Sequence, residues 1–273
     1  MNKADPQLVA ALRTLVDDAM VQGGRPLVLG ICGAQGSGKS TLAEALAERL
    51  ERDGLACAVL SLDDLYLTRA ERERLARGVH PLLATRGPPG THDTSLGIAV
   101  LDALKAGTPV RLPRFDKSKD DRVDPSGWPE VAGQCDVVLF EGWCVGALPQ
   151  AAAALAMPVN ELELTEDRNG VWRGFVNEAL AGPYQDLFAR IDRLVLLQAP
   201  SFEVVLGWRF QQEQELRARS GDNSAVMDRQ QLPRFIAHYE RITRYILAEM
   251  PGRADLVIKL DRDRRPIVIA RKR

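Results

Sequence analysis

Long apolar runs, an excess of basic residues and closely spaced cysteines are all missing from this chain of 273 residues. No run approaches the ~18 apolar residues of a membrane span, and the N-terminus lacks the basic start and apolar stretch of a secretion signal. The formal net charge of −1 argues against a nucleic-acid-binding protein with a broad basic face. The four cysteines form no C-x-x-C pair, so neither a zinc cluster nor a redox motif is indicated. We therefore expect a cytoplasmic enzyme without a nucleic-acid or membrane partner.

Short apolar runs alternate with segments of helical periodicity. Apolar residues make up 45% of the chain and charged residues 27%, which is typical of soluble globular proteins with a buried core. The apolar runs predict strands over 26–32, 55–62, 136–142 and 193–198, with 255–260 and 266–270 closing the sheet or forming a terminal hairpin. Helical spacing predicts helices over 6–21, 41–52, 96–105, 147–156, 202–219 and 231–250. Thr94 or Ser95 is the expected N-cap of the third helix.

Strands that alternate with helices imply an α/β fold, in which helices cover both faces of a mostly parallel sheet. No repeat and no low-complexity linker divides the chain, so a single domain over 1–273 is the economical interpretation. Two segments rich in Pro, Gly and charge, 69–95 and 111–130, are predicted to be long loops between strands.

The run G-A-Q-G-S-G-K-S-T directly follows the first strand and opens a helix. This context is typical of a P-loop, whose glycines let successive backbone N–H groups surround the phosphates of a nucleoside triphosphate. Lys39 supplies a positive charge to the β- and γ-phosphates, Ser40 supplies a hydroxyl to Mg²⁺, and the helix adds its positive N-terminal end. The predicted nucleotide-binding residues are Gly33, Ala34, Gln35, Gly36, Ser37, Gly38, Lys39, Ser40 and Thr41.

Acidic residues end two further strands. Glu141 follows V-V-L-F and, beside a P-loop, is the natural acid to hold Mg²⁺ together with Ser40, although such an acid is also a common solvated boundary. Asp63 and Asp64 follow the second strand, where a carboxylate can accept the proton of a substrate hydroxyl as its oxygen meets the γ-phosphorus. The alternative is that these two acids cap the following helix. A carboxylate base distinguishes a kinase from a plain NTPase.

Residues 2–5 spell N-K-A-D, the N-K-x-D string of guanine-reading GTPases. The string precedes the P-loop and follows no strand, unlike the GTPase motif. We interpret it as chance and expect ATP to be the phosphoryl donor.

With these residues placed, the chain resembles the P-loop kinase superfamily of phosphoribulokinase, uridine kinase and pantothenate kinase, and more closely the plant and fungal type of D-glycerate 3-kinase. The resemblance runs from about Leu27 to Ile269. Its segments are GICGAQGSGKST (30–41), SLDDLYLT (61–68), RGPPGTHD (86–93), LPRFDKSKDDR (112–122), VVLFEGWCVG (137–146) and WRFQQEQELR (208–217). It implies that Asp63, rather than Asp64, is the general base. The chain departs from the family pattern at Leu65, where Phe is expected, and at Pro88, where Asn is familiar.

The resemblance also implies an acceptor site in the loops 69–95 and 111–130. Glycerate is a small carboxylate, so its site should offer cations and hydrogen-bond partners for its hydroxyls. The candidates are Asp64, Arg86, His92, Asp93, Arg114 and Lys117. Taken singly, each charged residue is equally well a solvated loop charge, and His92 a helix cap.

The resemblance also implies a lid at about 203–230, which closes over the phosphates and carries arginines to them. Arg209 and Arg217, eight residues apart, lie roughly on one face of a helical pattern. Their alternative role is ion pairing with Glu213 or Glu215.

The implied reaction uses ATP and Mg²⁺ to phosphorylate a hydroxyl of D-glycerate, a small hydroxy acid, giving 3-phosphoglycerate. The predicted catalytic residues are Asp63, Lys39, Arg209 and Arg217. One alternative is the same chemistry on pantothenate, a nucleoside or a sugar phosphate. Another is a nucleotide-gated binding protein that hydrolyses ATP slowly. The sequence does not predict the oligomeric state.

Overall fold

Six strands form a central sheet. The computed structural model describes residues 4–220 and 231–272, apart from the side chains of residues 213, 215–220 and 231. In these ranges the strands are β1 (Leu27–Gly33), β2 (Cys57–Ser61), β3 (Val110–Arg111), β4 (Phe115–Asp116), β5 (Asp121–Arg122), β6 (Glu130–Val131), β7 (Val137–Gly142), β8 (Arg193–Gln198), β9 (Leu256–Leu260) and β10 (Pro266–Arg271). The helices are α1 (Pro6–Gln22), α2 (Lys39–Arg52), α3 (Arg69–Gly78), α4 (Thr94–Lys105), α5 (Glu161–Glu166), α6 (Val171–Ala181), α7 (Pro183–Phe188), α8 (Phe202–Ser220) and α9 (Gln231–Glu249).

The sheet has the order β10-β9-β8-β1-β7-β2. Every neighbouring pair from β2 to β9 is parallel, and β10 is antiparallel to β9. The predicted mostly parallel sheet is therefore confirmed, and the last two strands both close the sheet and form a hairpin. Since the carboxyl ends of parallel strands meet at one edge, the P-loop after β1 lies beside the ends of β2 and β7.

Helices cover both faces, as predicted. Successive residues of β1 point to opposite faces of the sheet. Leu29 and Ile31 belong to an apolar cluster on one face, together with residues of α1, α2 and α8. Val28 and Cys32 belong to a second cluster on the other face, together with residues of α4, α6 and α7. Among the described residues, no helix is both long enough and apolar enough to cross a membrane.

The prediction of one long loop over 69–95 is wrong, because α3 lies within it. This helix begins with a capping box formed by Thr68 and Glu71. Its inward-facing residue is Arg72, which is 2% exposed and donates to the carbonyls of Leu67 and Ala84. A helix that buries an arginine gives no apolar periodicity, so the sequence pattern missed it.

Two further helix predictions need correction. The alanine-rich segment 147–156 contains only a 3₁₀ turn at Ala152–Leu155, and the alanines of that turn are exposed, so they bury no apolar face. The N-cap of α4 is Asp93, whose Oδ1 accepts from the Leu96 amide at 2.9 Å. Thr94 and Ser95 are consequently helical residues rather than caps.

Candidate active site

The P-loop connects the end of β1 to the start of α2. Gly36 and Gly38 have φ angles of +75° and +89°, which glycine adopts without the strain that a side chain brings. A Cβ on Gly36 would also lie 2.8 Å from Cβ of Trp208. The Ser37 hydroxyl is buried without a hydrogen-bond partner among the described residues, which leaves a polar group for a ligand. Because α2 begins at Lys39, its positive N-terminal end lies at the loop.

Glu141 lies beside the P-loop and is 4% exposed. Its strand β7 lies between β1 and β2, and it occupies the same register level as Ser61. Oε1 accepts hydrogen bonds from Ser40 at 3.0 Å and Ser61 at 2.8 Å, and Oε2 lies 3.9 Å from the Lys39 ammonium. Oε2 has no hydrogen-bond partner among the described residues. Glu141 is therefore a buried carboxylate facing a cation and a hydroxyl, not a solvated strand boundary.

Asp63 follows β2 and lies at the same edge of the sheet. Its Oδ1 accepts from the Tyr66 hydroxyl at 2.8 Å, and its Oδ2 lies 2.6 Å from the Lys117 ammonium. Burial by itself would raise the pKa of Asp63, but the charges of Lys117 and Lys39 and the two hydrogen bonds hold it well below its ordinary value. Asp63 is thus an ionised carboxylate close to the P-loop lysine.

Asp64 has different partners. Its Oδ1 accepts from the Phe115 amide at 3.0 Å, and its Oδ2 lies 3.3 Å from the Arg114 guanidinium. Burial raises the pKa of Asp64, although these two partners oppose the shift. Asp64 therefore attaches the β4–β5 hairpin to the end of β2. Neither Asp63 nor Asp64 caps the helix that follows β2, because Ser61 caps the Leu62–Leu65 turn and Thr68 caps α3.

Arg86 is mostly buried and forms an ion pair with Asp120. The same carboxylate lies 2.9 Å from Arg72, so Asp120 joins the two predicted loops. The Arg86 guanidinium also lies 5.8 Å from the ring centre of Phe115. Arg86 is thus held near the β4–β5 hairpin instead of being a solvated loop charge.

His92 is buried and uncharged. Its ring stacks on Tyr66 with centroids 4.7 Å apart, and its Nδ1 is hydrogen-bonded to the Tyr184 hydroxyl. Burial lowers the pKa of His92 to about 3. Its Nε2 is buried without a hydrogen-bond partner among the described residues. The structure thus excludes the solvated and helix-cap alternatives for His92, because the cap of α4 is the next residue, Asp93.

Asp93 combines its capping role with an ion pair to Arg122 at 3.3 Å. The same guanidinium donates to the Tyr66 carbonyl at 3.0 Å. Asp93 and Arg122 therefore connect the R-G-P-P-G-T-H-D segment to the hairpin. A contact between Asp93 and the acceptor stays a prediction.

The predicted lid lies only partly in the described chain. Arg209, on α8, donates to Gln212 at 2.8 Å, and its guanidinium lies 6.0 Å from the ring centre of Phe235 on α9. Residues 221–230 and the side chain of Arg217 lie outside the described residues, as do the side chains of Glu213 and Glu215. The lid and the paired arginines stay predictions.

Two residues near the phosphate site were missed by sequence reasoning. Tyr66, in the segment SLDDLYLT, has no role in the sequence-based prediction, although its hydroxyl donates to Asp63. Arg264, in the turn between β9 and β10, donates to the Gly36 carbonyl at 2.6 Å and packs over the Trp208 ring with its Cζ 5.5 Å from the ring centre. No local pattern marks Arg264, which is 228 residues away from Gly36 in the chain.

A cavity of about 740 Å³ opens beside the P-loop. Ser37, Gly38 and Thr41 line one side, and the β9–β10 turn with Arg264 lines another. Asp5, from the N-K-A-D string, also borders it, but its Oδ1 caps α1 by accepting from the Gln7 amide at 2.8 Å. The cavity continues from the predicted phosphate site.

A family model described as methylmalonyl Co-A mutase-associated GTPase MeaB matches residues 2–66. The matched part holds the P-loop and the end of β2, and it covers less than a quarter of the chain. It supports the phosphate site.

Three relatives match over most of the chain. The "Uncharacterized kinase mug58" of Schizosaccharomyces pombe is 37% identical over 90% of this chain and 92% of its own length. The chloroplastic D-glycerate 3-kinase of Arabidopsis thaliana is 34% identical over 89% of this chain, which spans only 54% of the plant protein. The structure of D-glycerate 3-kinase from Cryptococcus neoformans superposes with a TM-score of 0.81 at 30% identity, covering 97% of this chain and 98% of that one.

Proposed function

The chain belongs to the D-glycerate 3-kinase family of P-loop kinases, and from that premise we propose that it transfers the γ-phosphoryl group of ATP to a hydroxyl of D-glycerate, giving 3-phosphoglycerate. As a member of this family it is a phosphotransferase with an alcohol group as acceptor. The observation that carries transfer to a hydroxyl is Asp63, a carboxylate that lies close to Lys39 and contacts Lys117 at the edge of the site. The choice of D-glycerate among hydroxyl acceptors is supported by the family.

The residues have complementary tasks in the proposed reaction. The acceptor's hydroxyl oxygen attacks the γ-phosphorus, its proton passes to Asp63, and the bond from the γ-phosphorus to the bridging oxygen breaks, which releases ADP. The P-loop amides and Lys39 offset the charge on the phosphates. Arg209 and Arg217 are proposed to add positive charge when the lid closes.

Ser40 and Glu141 are proposed to hold Mg²⁺. Their oxygens lie 3.0 Å apart, both are hard ligands of the kind Mg²⁺ prefers, and Oε2 of Glu141 lacks a hydrogen bond within the described chain. Bound Mg²⁺ would neutralise charge on the β- and γ-phosphates.

The acceptor site is proposed between the β4–β5 hairpin and the segment that ends in His92-Asp93. Arg86, Arg114 and Lys117 supply positive charge for a carboxylate there, and the charge-assisted hydrogen bonds they form are strong. Asp64 and Asp93 hold this framework together through Arg114 and Arg122. A pantothenate, nucleoside or sugar phosphate acceptor remains the nearest alternative.

The cavity beside the P-loop is proposed to take the nucleoside of ATP. Its volume of about 740 Å³ lies within the range of ~300–1,000 Å³ that ligand pockets have. The P-loop itself does not select between adenine and guanine, so GTP belongs in any test of the donor.

The rate of ADP release with different acceptors tests the proposed function. It is measured with Mg-ATP alone, and then with D-glycerate, L-glycerate, pantothenate, uridine or ribulose 5-phosphate, with Mg-GTP as a second donor. We expect turnover that depends on ATP and D-glycerate, with 3-phosphoglycerate as the product seen by ³¹P NMR. Turnover with uridine but not glycerate would contradict the acceptor, and hydrolysis that no acceptor accelerates would favour a nucleotide-gated binding protein.

A further inference from the structure

Both carboxylate oxygens of Asp63 are engaged. Tyr66 donates to Oδ1 at 2.8 Å, and the Lys117 ammonium lies 2.6 Å from Oδ2. An opposite charge at contact distance stabilises the ionised form of a carboxylate, which makes the carboxylate a weaker proton acceptor. The proposed base is thus held by a cation, Lys117.

Lys117 differs from the other cations near Asp63. The Lys39 side chain is 14% exposed and belongs to the P-loop, and Arg114 is paired with Asp64. Lys117 lies in the turn between β4 and β5, and its side chain is 58% exposed. A lysine ammonium on a flexible stem is a point charge that can exchange one carboxylate partner for another.

We propose that Lys117 holds Asp63 in an ion pair until an acceptor with a carboxylate binds. The acceptor's carboxylate then forms an ion pair with the Lys117 ammonium, so that Asp63 can accept the proton of the acceptor's hydroxyl. This inference rests on the proposed function, since it requires that the acceptor carry a carboxylate. It makes Lys117 a residue that selects anionic acceptors and suppresses the hydrolysis of ATP by water.

The exchange conserves charge and leaves the phosphoryl transfer unchanged. One Lys117–carboxylate ion pair breaks and another forms, while Tyr66 continues to donate to Asp63. The hydroxyl oxygen then bonds to the γ-phosphorus, its proton goes to Asp63, and the bond to the bridging oxygen breaks. Water has no carboxylate, so the original ion pair persists and Asp63 does not activate water.

The test compares Lys117→Met with wild type and with Lys119→Met. Lys119 lies in the same turn, is 80% exposed and pairs with Asp116, so its replacement removes a similar charge away from Asp63. Three rates are measured at saturating Mg-ATP: ADP release without acceptor, with D-glycerate and with glycerol, in which a hydroxymethyl group replaces the carboxylate.

For Lys117→Met we expect acceptor-free hydrolysis to rise by about tenfold, which is part of the ~10²–10⁴-fold that a general base contributes. We also expect the preference in kcat/KM for glycerate over glycerol to fall by about 10- to 100-fold, as for the loss of one charge-assisted hydrogen bond. Lys119→Met should match wild type in both measurements. A merely structural role of Lys117 predicts that hydrolysis falls or stays constant.

Hydrolysis in Lys117→Met at or below the wild-type rate overturns the inference, and so does an unchanged preference for glycerate over glycerol. A wild type that releases no glycerate-dependent ADP contradicts the proposed acceptor instead. The hydrolysis comparison contains no glycerate, so it still decides whether Lys117 restrains Asp63.

Discussion

Tyr66 donates its hydroxyl to Oδ1 of Asp63 at 2.8 Å, three residues away along the chain. The 3₁₀ turn Leu62–Leu65 produces this contact, and the stacked His92 ring supports the tyrosine from the neighbouring segment. The proposed base is therefore oriented by a side chain from its own connection and by a second loop.

Replacing Tyr66 with Phe should lower kcat and leave the affinity for ATP unchanged. A hydrogen bond to a charged group contributes about 1.5–3 kcal/mol, so we expect kcat to fall by about tenfold or more as Asp63 loses its orientation. Steady-state kinetics and isothermal titration with ATP measure the two effects. Tyr245→Phe, on α9, is the matched control, and equal kcat values in the two variants would contradict the role of Tyr66.

Replacement by Asn should lower kcat much more at Asp63 than at Asp64. Asp63→Asn removes the proton acceptor, so kcat should fall by about 10²–10⁴-fold while ATP still binds. Asp64→Asn keeps an oxygen for the Phe115 amide and loses only the ion pair with Arg114, so most of kcat should remain. The measurement is single-turnover transfer with labelled ATP, and full activity of Asp63→Asn would remove Asp63 as the base.

Local signals predicted the six strands of the central sheet, the P-loop and the strand-end acids, because apolar runs and glycine spacing act within a few residues. They did not predict the short strands β3 to β6. The same signals did not predict α3, because its buried residue is Arg72. They wrongly predicted a helix in the alanine-rich segment, because its alanines have no core to pack against. Contacts between distant segments, such as Arg264 with Gly36 or His92 with Tyr184, depend on the assembled sheet. A single sequence does not encode them as a local pattern.

The protein should become less stable as the pH falls below about 6.5. Burial lowers the pKa of His92 to about 3 and that of His238 to about 4, so both stay neutral in the folded protein. Unfolded histidines take up a proton near pH 6.5, so below that pH the unfolded state binds more protons than the folded state. The free energy of unfolding should therefore decrease by up to about 1.4 kcal/mol per pH unit for each histidine.

Urea unfolding at pH 7.5, 6 and 5 measures this slope, in a range where ordinary carboxylates stay ionised. His92→Phe keeps an aromatic ring against Tyr66 and removes one titrating group, so its slope should be shallower than that of wild type. The two slopes would be equal if His92 were protonated in the folded protein.

Replacing Arg264 with Met should weaken ATP binding. Arg264 donates to the Gly36 carbonyl at 2.6 Å and packs on Trp208, so it fixes one side of the P-loop against the β9–β10 turn. Loss of a charge-assisted hydrogen bond costs about 1.5–3 kcal/mol, which corresponds to a rise of about 10- to 100-fold in the Kd for ATP. Lys259→Met removes an exposed charge from the adjacent strand β9 and should leave this Kd unchanged. Because Arg264 lines the cavity proposed for the nucleoside, the KM for the acceptor at saturating ATP should also stay constant. A rise in that KM with an unchanged Kd for ATP would contradict the assignment.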